Sequence, residues 1–227
     1  MLTPDDHRTD GQFTHYANSP ELWSKYDPGL FDHLACCLRN GARHVGRIEA
    51  GGLLANCAFH SEILTDRPVE RRSYFARMHE QFADADLIFF DPDNGLEIKS
   101  LPLGRKQSSK FLYWHELVGA FESGKSVLLY QHFIREKRDR FTFRLSSEIA
   151  YRLGAAQTFS FRTARVVFFL ASQQKHAEFF KERAAIVAGQ WMGQIQVQAH
   201  EHPLQETMLG RGTMLSDAQV VIDFPIL

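Results

Sequence analysis

The sequence predicts an α/β protein: a mostly parallel sheet with helices on both faces and an antiparallel hairpin at its C-terminal edge. Three observations lead to this class. Residues 87–90 and 126–130 are apolar runs without polar alternation, as in strands buried on both faces. Helical patterns alternate with these runs, which predicts right-handed parallel crossovers. Residues 158–162 and 164–171 then read as two paired strands.

In the first half of the chain, several helices and short strands are predicted before the central strand at residues 87–90. Pro20 and Pro28 each follow a residue type that caps helices, so helices are predicted to begin there. Short strands are predicted at residues 44–48 and 58–64. An amphipathic helix at residues 71–82 then leads into the strand at 87–90.

The second half is predicted to alternate in the same way and then to close the sheet. Its predicted elements are a helix at 110–122, a strand at 125–133, a basic helix at 135–153, the strand pair, a helix at 176–188, and short strands at 194–198 and 220–224. We therefore predict one α/β domain over residues 1–188 and a C-terminal extension over residues 189–227.

Composition limits the functional classes. The formal net charge is −1 and the isoelectric point is near 6.8, so no overall positive charge indicates nucleic-acid binding, although a local patch remains open. Three cysteines without metal-type spacing predict neither a metal site nor a disulfide framework, which favours a reducing cytoplasm. The N-terminus does not look like a signal peptide, and no apolar run approaches the ~20 residues of a membrane span.

The most informative motif directly follows the central strand. Asp91, Pro92, Asp93 and Asn94 end the apolar run, and Gly95 allows a tight turn. Ligands of open α/β sheets bind at the carboxyl ends of the strands, so these four residues are candidate catalytic groups. A simple polar turn is the alternative, because the same residue types form turns.

A second polar cluster follows the next buried strand. His132, after Gln131, is a candidate general base or phosphate contact; a purely structural hydrogen bond is the alternative. If the two strands are neighbours, His132 meets the Asp-Pro turn at one crevice.

Basic residues lie near both strand ends. Arg135 and Arg138 begin a basic helix interleaved with phenylalanines, and Arg105 and Lys106 lie in a basic loop. These four are candidate contacts to a nucleic-acid substrate. A solvated helix face is the alternative for the helix.

The element order and the strand ending in Asp91-Pro92-Asp93-Asn94 resemble class I S-adenosylmethionine-dependent methyltransferases, whose fourth strand commonly ends in Asp-Pro-Pro-Tyr or Asn-Pro-Pro-Tyr. The resemblance is closest to bacterial ribosomal-RNA adenine methyltransferases. It implies a Rossmann-like fold, S-adenosylmethionine as cofactor and methylation of a nucleic-acid amine. Asp91 and the Pro92 carbonyl would then orient the amine lone pair.

The resemblance also implies cofactor contacts. Glu49 would bind the ribose hydroxyls, with a surface glutamate as the alternative, and Thr3, Asp5 and Asp6 would lie in a cofactor loop or in a frayed terminus. The stretch around Thr3 to Asp6 resembles that of uncharacterised bacterial proteins with a Thr-Pro-Asp-Asp-Gly loop. Since those proteins have a further helix and strand upstream, we expect that a first strand was cut away or the start codon assigned late.

The sequence departs from the methyltransferase pattern at two motif positions. Asp93 stands in place of proline, and Asn94 in place of the aromatic residue that stacks on a flipped base. A Gly-x-Gly loop after a first strand is also missing. A catalytically inactive, methyltransferase-like interaction domain is therefore one alternative.

A metal-dependent nuclease or phosphoesterase is another alternative. Asp91, Asp93, Glu97 and Lys99 have the residue types of a nuclease motif, in which carboxylates bind Mg²⁺ and the lysine positions water.

Overall fold

The computed structural model describes residues 1–4, 14–42, 44–155, 157–201 and 220–221. In these segments the α-helices are α1 (Pro20–Trp23), α2 (Pro28–Arg39), α3 (Gly46–Ala50), α4 (Pro68–Gln81), α5 (Trp114–Glu122), α6 (Arg138–Leu153) and α7 (Ala177–Gln190). The strands are β1 (Leu87–Phe90), β2 (Ser126–His132), β3 (Gln157–Arg162), β4 (Val166–Ser172), β5 (Gln196–Glu201) and β6 (Val220–Val221). Short 3-10 helices lie at His15–Asn18, Ser108–Lys110 and Gln174–His176.

The strands form a mixed sheet in the order β5-β3-β4-β2-β1-β6. Strands β1 and β2 are parallel, whereas β4 is antiparallel to both β2 and β3, and β5 is antiparallel to β3. The two residues of β6 pair in parallel beside β1. The α/β class is therefore confirmed, but the prediction of a mostly parallel sheet is wrong.

The connection between β3 and β4 fixes the antiparallel direction of these two strands. A parallel crossover needs about a dozen residues or more, and only residues 163–165 separate these two strands, so they must pair as a hairpin. The predicted hairpin is confirmed, but it does not lie at the edge of the sheet. Strand β4 inserts between β2 and β3, and β5 continues the sheet beyond the hairpin.

The two strands predicted upstream of β1 do not form. Residues 46–50 form helix α3 instead of a strand, and the spacing of Val45 and Ile48 fits one helical turn better than the alternation of a strand. At residues 58–64 the described pairing is a single parallel bridge between Leu2 and Ile63. The two predicted strands are therefore absent from the described residues, and the parallel neighbour on that side of β1 is the two-residue β6.

Helices cover both faces of the sheet, as predicted. On one face, alternate residues of β1, β2 and β4 join apolar side chains of α4, α5 and α6 in the main core. On the other face, Leu87, Phe159 and Leu170 pack with Phe180 and Ala184 of α7. Strand β1 is buried along its whole length, which explains its unbroken apolar sequence.

Two further predictions concern the outer parts of the chain. Strand β5, in the predicted C-terminal extension, pairs with β3 over six residues, while a domain boundary at residue 188 stays a prediction. Of the predicted strand at 220–224, the structure describes residues 220–221. None of the helices in the described segments has the length and apolar character that crossing a bilayer requires.

Candidate functional site

The candidate site begins at the turn after β1. Asp91 is 2% exposed and Pro92 is buried, while Asp93 and Asn94 reach the surface. The Gly95 N–H donates to the Pro92 carbonyl oxygen at 3.2 Å, and Gly95 has φ +88°. This conformation favours glycine, so the turn depends on the residue that the sequence supplies there.

Gln131 ties this turn to the end of β2. Its Oε1 accepts a hydrogen bond from the Leu96 N–H at 2.8 Å, and its Nε2 donates to the His132 carbonyl at 3.0 Å. A Cβ at Gly95 would lie 2.4 Å from Gln131 Oε1, so the amide packs directly against the glycine. The carboxyl ends of β1 and β2 are thus held together by a buried side-chain amide.

His132 lies at this same end of the β1–β2 pair, on the surface. Its Nε2 is 3.3 Å from the Tyr130 hydroxyl, and the two rings meet edge to face with centroids 5.0 Å apart. Phe90 pairs with Leu129, so continuing the register would bring Asp91 opposite Tyr130. Strand alternation would then place Asp91 and His132 on the same face of the sheet. A shared crevice between them remains a prediction.

The N-terminal residues reach this edge of the sheet. The Met1 nitrogen is 3.1 Å from the Asp91 carbonyl oxygen, and the Thr3 hydroxyl donates to Asp93 Oδ2 at 3.0 Å. The Leu64 N–H donates to the Leu2 carbonyl at 2.8 Å, which fixes the segment beside residues 63–64. The structure thus brings Thr3 next to Asp93. Asp5 and Asp6, the other residues predicted in this loop, lie outside the described residues.

Asp93 also contacts a lysine from further along the chain. Lys110 Nζ lies 3.2 Å from Asp93 Oδ2, and the lysine side chain is mostly buried. The Lys110 carbonyl accepts from the Asn94 N–H at 2.9 Å, so the same residue binds both the side chain and the backbone of the turn. Asp93 is therefore fixed in place by its neighbours, although 37% of its side chain is exposed.

The loop that carries Lys110 is anchored by a buried ion pair. Arg71 of α4 binds both carboxylate oxygens of Glu116 at 2.5 and 2.8 Å. The same guanidinium donates to the carbonyl oxygens of Ser108 and Phe111 at 3.1 and 2.7 Å. Sequence reasoning did not identify this pair, although Arg71 shares a helical face with Tyr74 and Phe75. A charged residue on an apolar helix face, such as Arg71, could have predicted a buried partner of opposite charge.

Asp66 provides a second anchor for the same loop. Its carboxylate accepts from the N–H groups of Gln107 and Ser109 at 2.8 and 2.7 Å. Burial opposes ionisation, but the hydrogen bonds from Ser109 and Gln107 outweigh it, and the pKa of Asp66 is lowered. The conformation of this loop is therefore stabilised by Arg71 in α4 and by Asp66, which lies just before α4.

The residues of the nuclease alternative have structural contacts here. Glu97 Oε1 accepts from the Trp114 N–H at 2.8 Å, so this carboxylate caps the start of α5. Lys99 is exposed. Among residues 1–4, 14–42, 44–155, 157–201 and 220–221, no group of three or more His, Cys, Asp and Glu side chains could hold a metal ion.

The remaining predicted residues are spread over the surface. Glu49 lies in α3, and both of its carboxylate oxygens are 3.2 Å from the Ser61 hydroxyl, so its described contact is not with the turn after β1. Arg105 and Lys106 are exposed in the loop before α5, and Arg135 is exposed after β2. Arg138 begins α6, with its guanidinium carbon 5.1 Å from the centre of the Phe133 ring.

Comparison of the chain with protein-family models, with curated proteins and with solved structures found no match.

Proposed function

We propose that this chain is an S-adenosylmethionine-dependent methyltransferase-like protein that acts on an amine of nucleic acid. The observation that supports it most is the position of Asp91. This carboxylate is buried at the carboxyl end of β1, directly before Pro92 and beside the end of a parallel neighbour. The carboxyl ends of parallel strands are the usual ligand-binding edge of α/β sheets.

The proposed chemistry requires positioning more than acid–base work. An amine that is to be methylated must point its lone pair at the methyl donor, and an acceptor for its hydrogens does this. Asp91 would accept from the amine in a site with little water, where such hydrogen bonds are strong. His132, exposed at the end of β2, would accept a released proton or contact a phosphate.

The described residues provide a better candidate for binding the substrate amine than for binding the cofactor. S-adenosylmethionine would supply the methyl group, and Thr3, beside Asp93, is the predicted cofactor residue that lies at this edge. The carboxylate of Glu49 is hydrogen-bonded by Ser61 instead. We therefore assign no further step to the cofactor.

The contacts of Glu97 and Asp93 favour this function over the nuclease alternative. A metal-binding carboxylate needs free oxygen lone pairs directed at the ion. Glu97 uses one oxygen to cap α5, and Oδ2 of Asp93 binds Thr3 and Lys110. While they keep these partners, Glu97 and Asp93 could each bind Mg²⁺ only through the second carboxylate oxygen.

The test measures cofactor binding and methyl transfer separately. S-adenosylhomocysteine is expected to raise the melting temperature, because a ligand at 100 times its Kd stabilises the folded state by about 2.7 kcal/mol. Labelled S-adenosylmethionine with RNA or DNA then tests methyl transfer. Asp91→Asn keeps the shape of the side chain and is expected to lower the transfer rate by about 10²-fold or more.

Asp84→Asn, an exposed carboxylate shortly before β1, is the matched control and is expected to leave transfer unchanged. Unchanged transfer in folded Asp91→Asn would contradict the proposal. A thermal shift with Mg²⁺ alone, with nucleic-acid cleavage lost in Asp93→Ala, would support the nuclease instead. No response to either ligand would support the inactive interaction domain.

A further inference from the structure

Helix α6 exposes two aromatic rings, one of which, Phe143, lies 6.4 Å from the ring of His200. Phe143 is 63% exposed and Tyr151 is 80% exposed, whereas Phe141 on the same helix is 3% exposed and packs in the main core. The buried face of α6 is thus complete without these rings. Large apolar side chains left in water on a packed helix are a reason to look for a partner.

The two rings share one face of the helix with two arginines. At 3.6 residues per turn, Arg140, Phe143, Arg144, Ser147 and Tyr151 fall within about 100° of the helix circumference. We call this set the α6 stripe. Phe143 and Tyr151 are eight residues apart along α6, which places them about 12 Å apart along the helix axis. The stripe therefore alternates cations and rings.

The charge of this region differs from that of the chain. Residues 135–152 contain six Lys and Arg against three Asp and Glu, whereas the chain as a whole has a formal net charge of −1. Arg140 lies 3.5 Å from Glu136, and Arg144 lies 3.0 Å from Glu136 and 3.8 Å from Glu148. The side chains of Arg140 and Arg144 are 81% and 47% exposed, so both guanidinium groups can also reach a phosphate in solvent.

We infer that the α6 stripe binds a single-stranded nucleic acid, with bases stacked on Phe143 and Tyr151 and phosphates bound by Arg140 and Arg144. The inference rests on the proposed function and specifies its substrate class. Aromatic rings alternating with cations form the usual surface for unpaired strands, because every base has a face that can stack. The bases of a duplex are already stacked on one another and cannot reach such rings.

The position of α6 connects this surface to the candidate site. Five residues separate the end of β2 at His132 from the start of α6 at Arg138, so α6 starts near the carboxyl edge of the β1–β2 pair. Because α6 packs on the face of Phe90, whereas Asp91 follows Phe90 and would face the other side, a strand that presents one nucleotide at this edge would cross the edge to continue along the helix. The spacing of the rings also distinguishes this surface from an apolar docking site for a protein, which would have contiguous apolar side chains.

The experiment measures binding of a fluorescein-labelled single-stranded oligonucleotide by fluorescence anisotropy, without cofactor, and compares it with the same oligonucleotide annealed to its complement. The single strand is expected to bind more tightly. Phe143→Leu and Tyr151→Leu keep an apolar side chain but remove the stacking ring, and each is expected to weaken binding by about fivefold or more. Phe143→Trp is expected to bind at least as tightly as the wild type.

Ile186→Ala is the matched control, because it removes an exposed apolar side chain from α7 instead of α6. Arg144→Gln is expected to lower the salt dependence of binding by roughly one phosphate contact, a slope change of about 0.7 for single strands. Circular dichroism of each variant verifies that it is folded. A loss of affinity in Ile186→Ala equal to that in Phe143→Leu would contradict the inference.

Further outcomes would also decide whether the α6 stripe binds single-stranded nucleic acid. Equal affinity for single strand and duplex, or unchanged affinity in Phe143→Leu and Tyr151→Leu, would overturn the inference. So would a dimer that Phe143→Leu converts to monomer, since a second copy would then occupy the stripe. If the stripe variants behave as expected but S-adenosylhomocysteine does not bind, the methyltransferase proposal fails and the nucleic-acid surface stands.

Discussion

The two ends of the β1–β2 pair carry similar polar residue types but use them differently. At the amino end, Ser126 and His176 are buried and their side chains are linked. Ser126 Oγ accepts from the Gln173 N–H at 3.0 Å and lies 2.9 Å from His176 Nδ1, while His176 Nε2 is 3.1 Å from Asp86 Oδ1. At the carboxyl end, Asp93 and His132 reach the surface.

This comparison shows that residue types alone do not identify a site. Ser126, His176 and Asp86 have the composition of a hydrolytic triad, but the Ser126 hydroxyl contacts both His176 and the Gln173 N–H, so its hydrogen bonds are made within the fold. The hydrogen bonds are satisfied when His176 accepts from Ser126 and donates to Asp86. The polar groups of the amino end are therefore bonded within the fold, whereas Asp93 and His132 at the carboxyl end are exposed.

The largest expected effect concerns the support of the carboxyl end. Arg71→Met leaves the Glu116 carboxylate buried without its cation and removes donors from the carbonyls of Ser108 and Phe111. Breaking one half of a buried pair typically costs about 3–5 kcal/mol. We expect urea denaturation to show a loss of that size in the free energy of unfolding.

Arg72→Met, one residue along and exposed, is the control and is expected to change stability little. Replacing both Arg71 and Glu116 by methionine is expected to recover part of the loss, because no unpaired charge remains. If Arg71→Met were as stable as Arg72→Met, the buried pair would not anchor the loop.

A smaller effect is expected at the amino end. Ser126→Ala removes the acceptor of the Gln173 N–H and the hydroxyl partner of His176, and a buried polar group left unsatisfied costs about 1–3 kcal/mol. Urea denaturation measures this loss, with Ser100→Ala on the exposed loop as control. Nucleic-acid affinity is expected to stay at the wild-type value. Reduced affinity in folded Ser126→Ala would show that the two ends are coupled.

The smallest effect is a pH dependence at the amino end. Burial lowers the pKa of His176; Asp86 acts against this shift, while Lys175 and Lys125 act with it. An unfolded histidine takes up its proton near pH 6.5, so between that pH and the lower folded pKa the unfolded state binds more protons. The free energy of unfolding is therefore expected to fall as the pH drops below about 6.5.

Urea denaturation at a series of pH values measures this dependence, and His176→Gln is expected to reduce its slope. An unchanged slope in that variant would assign the effect to other groups.

Much of the fold could be predicted because its signals are local. The apolar runs of β1 and β2, the amphipathic pattern of α4 and the short turn between β3 and β4 each lie within one stretch of chain. Strand direction across the sheet depends instead on which strands become neighbours. The sequence order of β3 and β4 does not reveal that β4 inserts between β2 and β3.

The candidate site was predictable to a similar degree. The Asp-Pro turn could be found because a buried strand ends there abruptly. The contacts of Lys110 with Asp93 and of Arg71 with Glu116 could not, because they join residues far apart in sequence. Glu49 was placed by assuming a strand that is a helix in the structure, so its predicted role lost its geometric basis.

The packing of Gln131 against Gly95 limits which residues natural variants of this chain can have at these two positions. Any larger residue at position 95 would collide with the amide that binds the Leu96 N–H. Shortening the side chain at position 131 would make room but would leave that N–H without its acceptor. Natural variants are therefore expected to keep both residues or to replace them together, so that these two positions covary.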